Sequence, residues 1–483
     1  MPMKRSGLIS ILFLPALASC VMSGSRPETT EYAAADRPNV VIILADDLGS
    51  ADLSIYGSSF RTPEIDALAR EGAVLTSAYA TAAVCSPSRA ALMTGRYQQR
   101  FGFEYQLEGE PQKRFGIDTS QRTLAQDLRD AGYRTALIGK WHLGLAPERH
   151  PNRLGFDEFY GFRGGQALFA STDDPDIVSW PTPGENSQYW KTYAASDATV
   201  FLEQDQVRPT PRHATDEFTD RAVNFIRSAK NDPFLLVVTY STPHVPLQAT
   251  RDHLARVSDI QDPNQRIYRA MVNELDRGVG AIRQALNEAG VTKNTLVIFS
   301  SDNGCPDYID GACSNRPLSG WKRHLLEGGV RVPFIVSWPE RIPAGQVRDG
   351  LVSLLDVSAT ARAAAGVTYT DSDGRDLARG LEGSGPVQIH DRLYWKSWPS
   401  YAIRDERWKL MGNADAEGGI VRMLFDLRND PGEKHDLLAV HPEEAARLQS
   451  EWDEWNRSLV PGLWPTTKIF DVNINGQALK AVN

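Results

Sequence analysis

The tightest constraint on this chain of 483 residues is a recurring short apolar run, rich in β-branched residues, that ends abruptly in polar ones. Asn39-Val-Val-Ile-Ile-Leu44 ends in Ala45-Asp46-Asp47, and Thr295-Leu-Val-Ile-Phe-Ser300 ends in Ser301-Asp302-Asn303-Gly304. Pro233-Phe-Leu-Leu-Val-Val-Thr-Tyr240 runs on to His244. A strand with one face in water alternates apolar and polar residues, whereas runs like these are buried on both faces, as in parallel sheets. Helical patterns lie between them at Thr62–Gly72, Thr123–Ala131, Phe218–Ala229 and Tyr268–Ala289, with further strands at Tyr133–Ile138 and Val332–Trp338. The alternation predicts an α/β fold, a large and mostly parallel sheet sandwiched by helices. Ligands of such sheets bind beyond the carboxyl ends of the strands. Asp46, Asp47, Lys140, His142, His244, Asp302 and Asn303 all fall there.

Past residue 380 the pattern changes to short alternating strands at Arg392–Trp395, Tyr401–Arg404, Trp408–Met411 and Met423–Asp426. An amphipathic helix follows from Pro442 to Leu459, with Ala445, Leu448, Trp452 and Trp455 on one face. The expectation is a small C-terminal antiparallel sheet with one helix, its tryptophans in the core rather than forming a sugar platform. The chain then divides into a large α/β domain over 37–380, which holds the polar strand ends, and a small α+β subdomain over 381–483.

The first twenty residues read as an export signal. Lys4 and Arg5 precede an apolar stretch from Leu8 to Leu17, too short for a mature span of ~30 Å of hydrocarbon. It closes on Leu17-Ala18-Ser19-Cys20, which resembles the bacterial lipobox, where the Cys is lipidated and becomes the new N-terminus. The alternative is an ordinary signal peptide with a chance Cys. Residues 21–36 read as a polar tether, which places the chain in the periplasm or at the cell surface, lipid-anchored, with the outer membrane favoured. A net charge of −9 without a Lys/Arg run makes the chain a poor nucleic-acid binder, so no such partner is expected, and any anion must be held by a few placed cations. In an oxidising compartment Cys305 and Cys313, which bracket a turn-rich loop, are expected to form a disulfide, the alternative being two free thiols.

In Val84-Cys85-Ser86-Pro87-Ser88-Arg89, Ser86 is a good N-cap, Pro87 suits the first helical position and Gly95 closes a short helix. Cys85 is thereby expected at a helix N-terminus with Arg89 one turn on, an electropositive setting for a reactive thiolate or an anion-binding loop. Lys140 and His142, two apart in an extended segment, should point to one side. Asp46, Asp47, Asp302 and Asn303 offer only oxygen ligands, which suits a hard cation such as Ca²⁺.

These motifs together resemble the type I, formylglycine-dependent sulfatases of the alkaline phosphatase superfamily. Their C-x-P-S-R signature is Cys85-Ser-Pro-Ser-Arg89, and the T-G-R element is Thr94-Gly-Arg96. Gly139-Lys-Trp-His-Leu-Gly144, Thr242-Pro-His-Val-Pro246, Ser301-Asp-Asn-Gly304, Leu326-Glu-Gly-Gly-Val-Arg-Val-Pro333, Phe425-Asp-Leu and Asn429-Asp-Pro-Gly-Glu433 follow in the family's order. The resemblance implies that a maturation enzyme oxidises Cys85 to formylglycine, whose hydrate attacks sulfur. It implies Ca²⁺ on Asp46, Asp47, Asp302, Asn303 and the modified Cys85, with Arg89 holding the diol and the metal carboxylates. Lys140 would contact sulfate, His142 would take the diol proton, and His244 and Lys322 would serve the departing sugar oxygen. Ser319 departs from the family pattern, in which many relatives carry Arg two residues before Trp321. The substrate is expected to be a sulfated polysaccharide or its oligosaccharides. Specificity should lie in the loops Gln98–Arg114, Gly164–Tyr193 and Cys305–Ser319, with His213, Trp321 and His324 as sugar-contact candidates. Two other readings remain: a phosphodiesterase or phosphonate monoester hydrolase of the same superfamily, and a non-catalytic sulfated-glycan-binding lipoprotein. The phosphatase pattern has an Asp-His pair where this chain has Asp302-Asn303, which fits a single hard-cation site better.

Overall fold

A computed structural model of the protein describes residues 1–2 and 37–482, apart from 185, 186, 230, 231, 384, 386 and 467. Beyond its first two residues the expected export signal, with Cys20, lies outside the described residues, as does the expected tether. Among the described residues no helix is long and apolar enough to cross a membrane.

The main sheet has ten strands: β1 Asn39–Ala45, β2 Ala73–Leu75, β3 Arg134–Lys140, β4 Glu158–Phe162, β5 Phe201–Glu203, β6 Gln206–Arg208, β7 Phe234–Thr239, β8 Thr295–Ser301, β9 Phe334–Ser337 and β10 Gln346–Arg348. Their order is β10-β2-β9-β8-β1-β7-β3-β4-β5-β6. The central block from β8 to β4 is parallel. β9 runs antiparallel to β8, and the connection through 302–333 carries only the four-residue helix Glu327–Val330, too short for the crossover a parallel return needs.

Every residue of β1 is buried, as a strand covered on both faces requires. Val40, Ile42 and Leu44 pack into one core with α2 (Cys85–Thr94), α3 (Leu124–Asp130) and α6 (Leu355–Ala364). Val41, Ile43 and Ala45 pack into the other with α1 (Pro63–Arg70), α4 (Ala214–Ser228) and α5 (Pro263–Glu288). The molecule is thus a helix–sheet–helix sandwich, as the apolar runs imply. Two helices start earlier than periodicity alone suggests. Asp262 caps α5 through Gln265 N with Pro263 in its first turn, and α4 begins just after His213.

The small sheet is antiparallel: β11 Leu393–Ser397, β12 Ser400–Arg404, β13 Trp408–Ala414, β14 Ile420–Asp426, β15 Ile469–Ile474 and β16 Gln477–Val482. Helix α7, Pro442–Arg457, buries Ala445, Leu448, Trp452 and Trp455 against it, so these tryptophans are core. The β15–β16 hairpin turns at Asn475-Gly476, both at positive φ, the dipeptide that a tight hairpin turn favours.

Candidate active site

The parallel register sets the site. β1 and β8 end level, Ala45 opposite Ser301, so Asp46 and Asp302 leave adjacent strands side by side. On an extended chain Asp46 and Asp47 would point to opposite faces. Asp47 instead adopts a left-handed backbone, φ 65°, which Asp tolerates better than most residues, and both carboxylates enter one site. β7 leads to His244 and β3 ends at Lys140. His142 also has a left-handed backbone, φ 61°, so the segment is not extended through His142 as expected, and Lys140 and His142 take different partners. Lys140 Nζ donates to Asp46 Oδ2 at 2.6 Å, and His142 Nε2 donates to the Leu107 carbonyl at 2.8 Å.

Cys85 is the first residue of α2 and Gly95 closes it in a left-handed turn, as expected, but Val84 rather than Ser86 occupies the cap position. Ser86 Oγ instead accepts from Leu107 N and bonds Gln106 Oε1, tying the loop beneath His142 to the helix start. Cys85 Sγ lies 3.3 Å from Asp46 Oδ1 and 3.8 Å from Asp47 Oδ1. Arg89 Nε donates to Asp302 Oδ2 at 2.8 Å and Nη1 to the Lys140 carbonyl at 3.0 Å. Lys322 Nζ is 2.8 Å from Asp47 Oδ2. His244 Nδ1 donates to its neighbour's carbonyl, Val245 O, leaving Nε2 3.6 Å from Asp47 Oδ2. All of these side chains are buried.

Burial with the Asp302 and Asp46 carboxylates pushes the Cys85 thiol well up, so it is protonated and a poor nucleophile as it stands. Burial would raise Asp47, but Lys322, His244 and Lys140 together hold it below the usual carboxylate range. Burial and the nearby Asp46 raise Asp302 against the pull of Arg89. Burial, Lys140 and Arg89 hold His142 well below its ordinary value, and burial with Lys322 and Lys140 pushes His244 down to about 3 despite Asp47. Both imidazoles are therefore neutral at physiological pH. His142 Nδ1 is a buried lone pair with no hydrogen-bond partner among the described residues.

The residues present fit a hard cation. Asn303 Oδ1 is buried without a donor among the described residues, while its Nδ2 is occupied by Asp47 Oδ1 and Gly304 O. Ligand atoms of Asp46, Asp47, Cys85 and His244 lie within 4.8 Å of one another. The three carboxylates Asp46, Asp47 and Asp302 are balanced by Arg89, Lys140 and Lys322, so a divalent cation would give the cluster the surplus positive charge that an anionic ester needs.

The expected Cys305–Cys313 disulfide is present, with Cα atoms 6.3 Å apart. Its loop carries Tyr308, whose hydroxyl reaches Asp47 Oδ2 at 3.4 Å, a site contact hidden in sequence because nothing about that loop marks one of its residues. Trp321 and His324 flank Lys322 and are half-buried. His213, the third candidate sugar contact, is almost fully buried against Phe169, His253 and the Gln248 carbonyl.

This constellation at the strand ends defines a buried centre for an anionic ester. The profile of the Sulfatase family matches residues 38–367, and that of the N-sulphoglucosamine sulphohydrolase C-terminal region matches residues 319–455. The N-acetylgalactosamine-6-sulfatase of Homo sapiens is 33% identical, covering 88% of this chain and 86% of the relative. Arylsulfatase G of Rattus norvegicus is 32% identical over 85% of this chain and 84% of its own. The crystal structure of Ps i-CgsB in complex with k-i-k-neocarrahexaose superposes with a TM-score of 0.78 at 32% identity, covering 89% of this chain and 95% of that one. The chain belongs to the sulfatase family and is a sulfuric ester hydrolase.

Proposed function

We propose that this sulfatase hydrolyses sulfate esters on a carbohydrate, a sulfated polysaccharide or its oligosaccharides, with Cys85 converted to formylglycine and Ca²⁺ held by Asp46, Asp47, Asp302, Asn303 and the modified residue. The buried array of three cations interleaved with three carboxylates around Cys85 carries the reading. When present, the hydrated aldehyde supplies a nucleophilic oxygen and the cation supplies charge stabilisation. The chain's own side chains do the rest. Arg89 holds Asp302 and the end of β3 in register. Lys140 and Lys322 are preorganised ammonium groups that bind the sulfate oxygens without reorganising. His142, neutral and held through Nε2, has its Nδ1 lone pair available to accept a proton. Lys322, on the Asp47 side, serves the leaving sugar oxygen, and His244 Nε2 beside it can do so only as the imidazolium, because the neutral ring carries its proton on Nδ1. The sugar assignment is supported by the named relatives, one an N-acetylgalactosamine-6-sulfatase and one crystallised with a neocarrahexaose.

Cys85→Ser should abolish desulfation of defined sulfated oligosaccharides, read by product NMR, with an unchanged circular dichroism spectrum. Near-normal turnover, or an unmodified Cys85 by peptide mass spectrometry in fully active protein, would reject the formylglycine reading. The formylglycine reading makes a maturation enzyme a required partner. We extend the proposal to an exported, periplasmic or surface protein lipidated at Cys20, supported by the Leu17-Ala18-Ser19-Cys20 sequence. Cys20→Ala should abolish palmitate incorporation, and a wild-type chain that takes up none would exclude the anchor.

A further inference from the structure

Outside the Asp46 cluster, two buried imidazoles face each other where three elements meet. His213 immediately precedes α4, Asp216 lies in its first turn, His253 lies in the short helix Arg251–Ala255, and Glu274 projects from α5. The two imidazole rings stand edge to face with centroids 4.6 Å apart. One ligand atom from each of His213, Asp216 and His253 lies within 4.8 Å of the others. His253 Nε2 is 3.2 Å from Asp216 Oδ2 and 3.7 Å from Glu274 Oε2. His213, only 2% exposed, donates Nε2–H to the Gln248 carbonyl. Its Nδ1 is thereby a buried lone pair that no donor among the described residues meets, and it makes no capping bond to α4 although it stands at the cap position.

We propose that His213, Asp216 and His253 form a site for a divalent transition metal of the Zn²⁺ class, distinct from the oxygen-ligated cluster, and that Glu274, with Oε2 3.7 Å from His253 Nε2, closes it as the fourth ligand when the ion binds. Imidazole and carboxylate are the donors such ions take, and once Glu274 joins the other three no position is left open for chemistry. Bonds of ~2.0–2.1 Å in a tetrahedron put ligand atoms about 3.4 Å apart, a spacing bracketed by the two His253–carboxylate distances. Binding displaces the proton from His253 Nε2. Nδ1 takes it and gives up the long 3.4 Å contact from Thr250 N, while Thr250 Oγ1 still caps His253 N at 3.1 Å. Arg256 occupies Glu274 Oε1, and Arg277, 3.4 Å from Oε2 with its side chain more than half exposed, would have to release that oxygen to the ion. Asp216, with half its side chain exposed, provides the entry path. His253 closes the segment that begins at His244, and the Thr215 hydroxyl, beside Asp216, bonds the Thr242 hydroxyl. A metal here would therefore clamp the chain that positions His244.

The full-length protein, stripped by chelator, reloaded with Ca²⁺ and titrated with Co²⁺, should take up one further equivalent with the intense visible absorption of four-coordinate cobalt, and Zn²⁺ should displace it. Asp216→Asn, at a half-exposed position that folding tolerates, and His253→Gln should each weaken Zn²⁺ binding about tenfold or more, while Asp46→Asn leaves the band unchanged. Only the weak absorption of six-coordinate, oxygen-ligated cobalt, or unaltered Zn²⁺ affinity in Asp216→Asn, would overturn the proposal in favour of a proton-only ion pair.

Discussion

Gly165 lies against the His142 ring, where a Cβ would come within 2.8 Å of both Cε1 and Nε2. Its backbone is not left-handed, so the restriction is one of space alone. Gly165→Ala should leave folding intact but push the imidazole off the Leu107 carbonyl. A misplacement of about 1 Å in a catalytic group costs on the order of 10²-fold. Steady-state kinetics should show that loss in kcat with KM little changed, and an unaltered kcat would remove His142 from the reaction. Sequence analysis finds His142 from its motif but not Gly165 or Gln106, because their importance comes from what the fold lays beside them. The same holds at Asp47 and His142 themselves: the residue types are legible, whereas the left-handed backbone that aims them is not.

Among the elements, the join between the two sheets rests on a buried ionic cluster. Lys409, in the middle of the small sheet on β13, places Nζ 2.9 Å from Glu327 Oε1 and 2.9 Å from Glu433 Oε1, all three side chains out of water. Glu433 Oε2 accepts from Glu327 N at 2.6 Å, and Tyr79 donates its hydroxyl to Glu327. Burial raises Glu433 to about 7 against the pull of Lys409. The motifs around Glu327 and Glu433 thus have a structural task that their sequence match to the family did not reveal. Removing one partner of a buried pair typically costs 3–5 kcal/mol, because the remaining charge is left without compensation. Lys409→Met should lose about that much in urea unfolding. A loss below ~1 kcal/mol would mean that the cluster does not hold the sheets together. Element types were well predicted where period and caps agree, as in α1, α3 and α7. The antiparallel sense of β9 was not, because pairing direction depends on how the chain returns. The β15–β16 hairpin was missed although its Asn475-Gly476 turn is a sequence signal.

For the molecule as a whole, the disulfide couples stability to the site. Cys305 and Cys313 close a loop with a separation of 8, worth about 2–3 kcal/mol by loop-closure entropy. The Cys305 carbonyl accepts from Lys322 N at 3.0 Å, so the anchored loop also sets the backbone of Lys322. The double variant Cys305→Ser/Cys313→Ser should lower stability by about that amount and raise KM for a sulfate ester. A stability loss with unchanged kinetics would show that Lys322 is fixed without the staple. By itself the sequence determined the sandwich, through apolar runs that can exist only between two helical layers, and the identity of the groups at the strand ends, through ordered motifs. Only the tertiary structure decided which of those groups meet. Strand register, two left-handed residues and a folded-back loop bring together side chains far apart in the chain, and no local pattern encodes distances between segments that touch only after folding.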